Sequence, residues 1–160
     1  MFIILGCKDT TIFKKTGCPN CIICTFASNI LKQTMGKVKK IKPETELFQG
    51  KLEELIIQAL IEKNGADIVN INLKKINHVF FDNFIICTGN SKTHVDTLSD
   101  YVQEITKRKA NIKPTFVEGI ENGEWILLDY FNIIVHIFQP KVREFYNLES
   151  LWGDAEIQQF

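Results

Sequence analysis

Trp125-Ile126-Leu127-Leu128-Asp129, then Tyr130-Phe131-Asn132, then Ile133-Ile134-Val135-His136-Ile137-Phe138 is the passage that decides the fold. Two apolar runs of strand length, rich in branched and aromatic side chains, predict two strands joined by a reversal at 130–132. In the first strand Trp125, Leu127 and Asp129 share one face, and Ile126 and Leu128 share the other. Pro140 then opens a short final helix. Beyond it, Arg143-Glu144-Phe145-Tyr146-Asn147-Leu148-Glu149-Ser150-Leu151-Trp152 sets charges among aromatics. The polar residues stand where burial alone would not ask for them: Asp129 ends an apolar strand and His136 interrupts another. Such a surface is expected to be built for recognition.

Working back from this passage, Thr115-Phe116-Val117 reads as a strand, and Gly119 to Gly123, with Asn122-Gly123, as the turn that feeds Trp125. Val95, Leu98, Tyr101, Val102 and Ile105 recur at helical spacing, with Ser91 as a cap and Lys107-Arg108-Lys109 favouring the helix dipole at the end. Phe84-Ile85-Ile86-Cys87-Thr88 is a continuous apolar run, suited to a central strand covered on both faces. Val69, Ile71 and Leu73 alternate, which argues for a strand over Asp67–Leu73 with one buried face. Leu47, Phe48, Leu52, Leu55, Ile56, Ala59 and Leu60 repeat as a helix, stopped by Asn64-Gly65. The order α-β-β-α-β-β-β-α predicts a mixed sheet of about five strands flanked by helices, one α/β domain over residues 45–155. Residues 156–160 read as a short tail. Residues 1–44 lack periodicity and end in a basic run, Lys37, Lys39, Lys40 and Lys42, before Pro43, as a disordered leader or linker would.

The chain has 160 residues and no formal net charge, but the charge is divided. Residues 1–51 hold nine Lys against three acids, and the remainder carries the balancing excess of acids. An acidic body should not bind nucleic acid through bulk charge; it suits a basic protein partner instead. No apolar run approaches the roughly 18–20 residues of a membrane span, and the start lacks the pattern of a secretory signal. Only Cys87 lies in the body, and a single buried thiol in an apolar strand points to a reducing cytoplasm rather than a disulfide scaffold.

Ala66-Asp67-Ile68-Val69, Asp82-Asn83-Phe84-Ile85-Ile86-Cys87-Thr88-Gly89-Asn90-Ser91, Val117-Glu118-Gly119-Ile120-Glu121-Asn122-Gly123-Glu124-Trp125, Asp129, Val135-His136-Ile137-Phe138, Arg143 to Glu149 and Leu151-Trp152-Gly153-Asp154-Ala155 occur in this order. In that order and spacing they resemble the bacterial ribosomal silencing factor (Iojap-like) family across about residues 47–155. The resemblance implies an α/β/α fold with nucleotidyltransferase-like topology and a non-catalytic, cofactor-free translational repressor, often a homodimer when free. Such a protein binds the large ribosomal subunit at its protein fourteen and hinders subunit joining during starvation. At 130–132 the family commonly has a Gly-Asp-type turn, and Asn132 is expected to supply the positive φ that Gly would allow.

On this reading Trp125, Leu127, Asp129, Glu118, His136, Arg143 and Tyr146 are the candidate contacts for the ribosomal protein. Trp125 is the expected anchor, Trp being enriched among binding hot spots, and Asp129 is expected to meet a basic group. The bland alternatives are a core Trp125, a structural His136, and surface ion pairs for Arg143, Glu144 and Glu149. Thr88-Gly89-Asn90-Ser91, at a helix N-terminus, resembles a nucleotidyltransferase turn. That chemistry wants paired carboxylates on a following strand, and Glu118, Glu121 and Glu124 fall in or beside a turn instead. A nucleotidyl-transferring enzyme is the alternative function. Cys18-Pro19-Asn20-Cys21-Ile22-Ile23-Cys24, with Cys7, offers four thiolates for zinc or a cluster, the basis of a metal-dependent regulator as a further alternative. A translation start at Met35 is the simpler account of that leader.

Overall fold

The computed structural model describes residues 43–76 and 80–160, with side chains from residue 51 onward. The proposed leader, with Cys7, Cys18, Cys21 and Cys24, and the side chains of Leu47 and Phe48 lie outside the described residues. Helix α1 (Pro43–Glu62) begins with its proline in the first turn, where the missing N–H has no helical partner to lose. Asn64, at φ 56°, ends it. Strand β1 (Ala66–Asn72) and strand β2 (Asn83–Thr88) follow and pair antiparallel.

Helix α2 (Lys92–Ala110) is capped as its sequence predicts. The Ser91 hydroxyl accepts from the His94 amide, and Asn111 closes the far end in the left-handed region. Strands β3 (Phe116–Glu118), β4 (Trp125–Asp129) and β5 (Ile133–Phe138) then build one side of the sheet. Two short helices, α3 (Pro140–Tyr146) and α4 (Leu148–Leu151), cross beneath it.

The sheet has six strands in the order β3-β4-β5-β2-β1-β6, one more than the pattern suggested. The extra strand, β6 (Glu156–Gln159), forms from residues expected as a tail. It pairs antiparallel with β1, and its Glu-Ile-Gln-Gln sequence leaves every side chain exposed, so no apolar alternation announced it. Among the described residues only β2 and β5 pair in parallel, in the middle, where both strands are buried throughout. That is the environment a continuous apolar run demands.

Two cores lie on opposite faces. Ile56, Leu60, Val95, Leu98, Val102 and Ile105 of α1 and α2 cover Ile85, Ile126, Leu128, Val135 and Ile137 on one side. On the other, Leu148 and Trp152 close over Ile71, Phe84, Ile86, Trp125, Leu127, Ile134 and Phe138, with Val142 and Tyr146 at the margin. The layering is therefore α/β/α. Among the described residues no helix is long and apolar enough to cross a membrane.

Candidate functional site

Strand β4 and the C-terminal helices position most of the candidate residues. The period-two reading holds: Trp125 and Leu127 face one core, Ile126 and Leu128 the other. The face expected to be partly wet is buried in this structure. Trp125 is only 4% exposed and Leu127 and His136 are buried, because the C-terminal segment folds across them. Trp125 stacks on Phe138 with centroids 4.7 Å apart and meets Tyr146 at 4.9 Å. Its indole N–H donates to Nδ1 of His136 at 3.2 Å. Full burial without a charged partner pushes the His136 pKa down to about 3, so the ring is neutral.

Asp129 is buried as well. Its Oδ1 accepts from the Phe131 amide at 2.6 Å, forming the turn between β4 and β5. Burial raises its pKa, against that hydrogen bond, and the nearby charge of half-buried Glu118 raises it further. The positive φ falls on Phe131, at 75°, and not on Asn132. Asn132 instead turns its side-chain amide to Asp82 at 2.9 Å, and its carbonyl accepts from the Asp82 and Asn83 amides. These bonds tie Asn132 to the start of β2 and leave residue 131 to take the left-handed conformation.

Arg143 is a staple. Nε and Nη2 both bind Oε1 of Glu149, at 2.9 and 2.6 Å, while Nη1 donates to the Asp67 carbonyl at 2.7 Å and to Thr88 Oγ1 at 2.6 Å. The fork thus ties α3 to α4 and to the ends of β1 and β2. It also occupies the Thr88 hydroxyl of the turn considered for phosphate. A cavity of about 690 Å³ opens beside it, lined by Asp67, Asn90, Glu144, Asn147, Gln159 and Phe160 among others.

A second depression, of about 370 Å³, opens over the edge of Trp125 and is walled by Asn122, Glu124, Lys141, Val142, Phe145 and Tyr146. Phe145 is 80% exposed at its rim. The sequence signal for its exposure is that two consecutive aromatics on a seven-residue helix cannot both face inward. Among the described residues no group of three His, Cys, Asp or Glu side chains could hold a metal ion. Glu121 and Glu124 are exposed at the β3–β4 turn rather than paired on a strand.

The family model described as "Ribosomal silencing factor during starvation" matches residues 48–160. A ribosomal silencing factor of Halalkalibacterium halodurans is 35% identical over 104 residues, which are 65% of this chain and 87% of that protein. One from Haemophilus influenzae is 37% identical over 103 residues, 64% of this chain and 98% of that protein. A crystal structure of a protein from Chromobacterium violaceum superposes with a TM-score of 0.61 at 36% identity, covering 65% of this chain and 85% of that one.

Proposed function

The chain belongs to the ribosomal silencing factor family, and from that premise we propose that it binds the large ribosomal subunit at the subunit's protein fourteen. The docked body occupies space that the small subunit needs, so joining is blocked and translation falls when nutrients are scarce. The action is steric and non-catalytic, needs no cofactor, and takes place in the cytoplasm. A second copy of the chain is the partner when no ribosome is bound.

The observation that supports this reading is the depression over Trp125, an apolar floor with an exposed aromatic, Phe145, at its rim. Apolar pockets rimmed by polar groups are where aromatic and aliphatic anchors of a partner find their hot spots. In this arrangement Phe145, Tyr146 and the edge of Trp125 make contact. His136 fixes the Trp125 indole, Leu127 pairs with His136 and with Glu118 across the sheet, Asp129 holds the turn at the other end of β4, and Arg143 fixes the helix that carries the rim.

The test is cosedimentation of the full chain with separated large and small subunits at two salt concentrations. Retention by the large subunit, with loss of joined ribosomes, is the expected outcome. Absence of binding at low salt would overturn the proposal.

A further inference from the structure

Phe131 is 79% exposed and sits at φ 75°, a conformation disfavoured for any side chain with a Cβ and rare for a bulky one. The turn is nevertheless firmly held. Asp129 Oδ1 accepts from the Phe131 amide, the Tyr130 amide bonds the Ile133 carbonyl, and the Asn132 amide bonds the Tyr130 carbonyl. Folding gains nothing visible from the ring, because glycine would relax the backbone and the phenyl group is left in water. Strain kept in this way marks residues selected for what they touch.

The surroundings indicate what that is. The Tyr130 hydroxyl meets Thr106 Oγ1 at 3.0 Å, which sets the turn beside the last turn of α2, with Lys107 and Lys109. The Ile112 amide bonds the Thr106 carbonyl and the Thr115 amide the Asp129 carbonyl, bringing Lys113 to the same end. The Leu73 amide bonds the Asp82 carbonyl, bringing Lys74. These four lysines are exposed, and none has an ion pair among the described residues. The acids of this end are less open to a partner than the lysines: Asp129 is buried, Asp82 and Glu118 are half-buried, and Glu156 is ion-paired with Lys75. Four exposed lysines around a bare aromatic ring match RNA. The ring stacks on an unpaired base and the lysines meet phosphates.

We propose that Phe131 is a stacking finger for an unpaired base of large-subunit RNA, flanked by Lys74, Lys107, Lys109 and Lys113. It is a contact separate from the depression over Trp125, which lies at the other end of β4. The proposal rests on the large-subunit reading above and deepens it. Full-length Phe131→Gly should keep or raise its melting temperature, since the strain is relieved. Its affinity for the large subunit should fall by about five- to a hundredfold, the worth of one stacked base. Phe131→Trp should restore binding. A benzophenone side chain placed at 131 should, on irradiation in the complex, give an adduct removed by ribonuclease. If wild-type chain binds the large subunit and Phe131→Gly binds within about twofold of it, the finger is overturned and the silencing reading stands. An adduct to ribosomal protein alone overturns the RNA assignment, and failure of the wild type to bind removes both.

Discussion

Trp125 and His136 sit diagonally across the β4–β5 pair, Leu127 being the direct partner of His136, and the Trp125 indole N–H donates to His136 Nδ1 at 3.2 Å. A nitrogen that accepts carries no proton, so the neutral ring holds its proton on Nε2. Nε2 finds no hydrogen-bond partner among the described residues. The pair therefore spends its one good hydrogen bond on fixing the indole, whose edge floors the proposed docking depression.

Removing the acceptor should cost more than removing the donor. His136→Ala leaves a buried indole N–H unpaired and opens a cavity among Phe84, Trp125 and Phe138, which together should cost about 2–4 kcal/mol. Trp125→Phe keeps an aromatic on Phe138 and leaves only a ring lone pair unmet, at about 1–2 kcal/mol. Urea unfolding of the two variants checks the order. Equal losses would mean that the hydrogen bond contributes little beside the packing.

Acid should unfold the protein through His136. Its pKa in the folded chain lies near 3, below the ordinary 6.5, so between those values the unfolded chain binds more protons than the folded one. Stability then rises with pH across that window and is lost as pH falls from 6.5 towards 3, at about 1.4 kcal/mol per unit. Asp129 acts with the opposite sign: its raised pKa means that the folded chain holds that proton longer, so stability falls as pH rises through its own window, which opens upward from 3.8. Midpoints of urea unfolding between pH 4 and 7 should climb with pH in wild type. In His136→Phe the climb should flatten, and an unchanged slope would assign the acid sensitivity elsewhere.

The sequence was most readable where one local rule was sufficient. Phe84–Thr88 had to be a covered strand, Ser91 a helix cap, and Trp125, Leu127 and their neighbours two faces of one strand; each of these is in place. What alternation cannot tell is which face stays open. Trp125 is met by Tyr146 from the C-terminal helices, and nothing in β4 itself encodes that lid. β6 was missed because its stability lies in backbone bonds to β1, not in buried side chains. Propensity alone points the positive φ to Asn132, but Asn132 has a side-chain bond to Asp82 that outweighs the preference. Tertiary demands chose Phe131.

Arg143→Ala should loosen the C-terminal helices as a unit. The guanidinium and Glu149 are both largely buried, at 14% and 23% side-chain exposure, and the fork also satisfies the Asp67 carbonyl, whose residue is held at φ 48°. Truncation strands Glu149 and frees Thr88, at an expected cost of about 2–4 kcal/mol. Lysine cannot reproduce the fork, so Arg143→Lys should recover less than half of the loss. Amide exchange would register the change first in α3 and α4, and a loss confined to α1 would contradict the staple.

Gly119 and Gly123 bracket the turn that delivers Trp125, and they should respond differently to the same added methyl group. Both have positive φ, 87° and 59°, so each alanine carries backbone strain of about 1–2 kcal/mol. At Gly119 a Cβ would stand 1.9 Å from the Trp125 carbonyl oxygen, backbone that is held in the sheet. Neither atom can retreat without breaking the β3–β4 pairing, so Gly119→Ala should cost at least about 3 kcal/mol and shift Trp125 fluorescence. At Gly123 the obstacle is the Lys92 side chain, Cγ at 2.5 Å, and that flexible stem can swing away. The price there is its contact to the Glu121 carbonyl, so Gly123→Ala should lose only about 1–2 kcal/mol. Parallel thermal melts of the two variants make the comparison. A Gly119→Ala protein as stable as Gly123→Ala would show that β3 can yield, and that the turn does not set the position of Trp125.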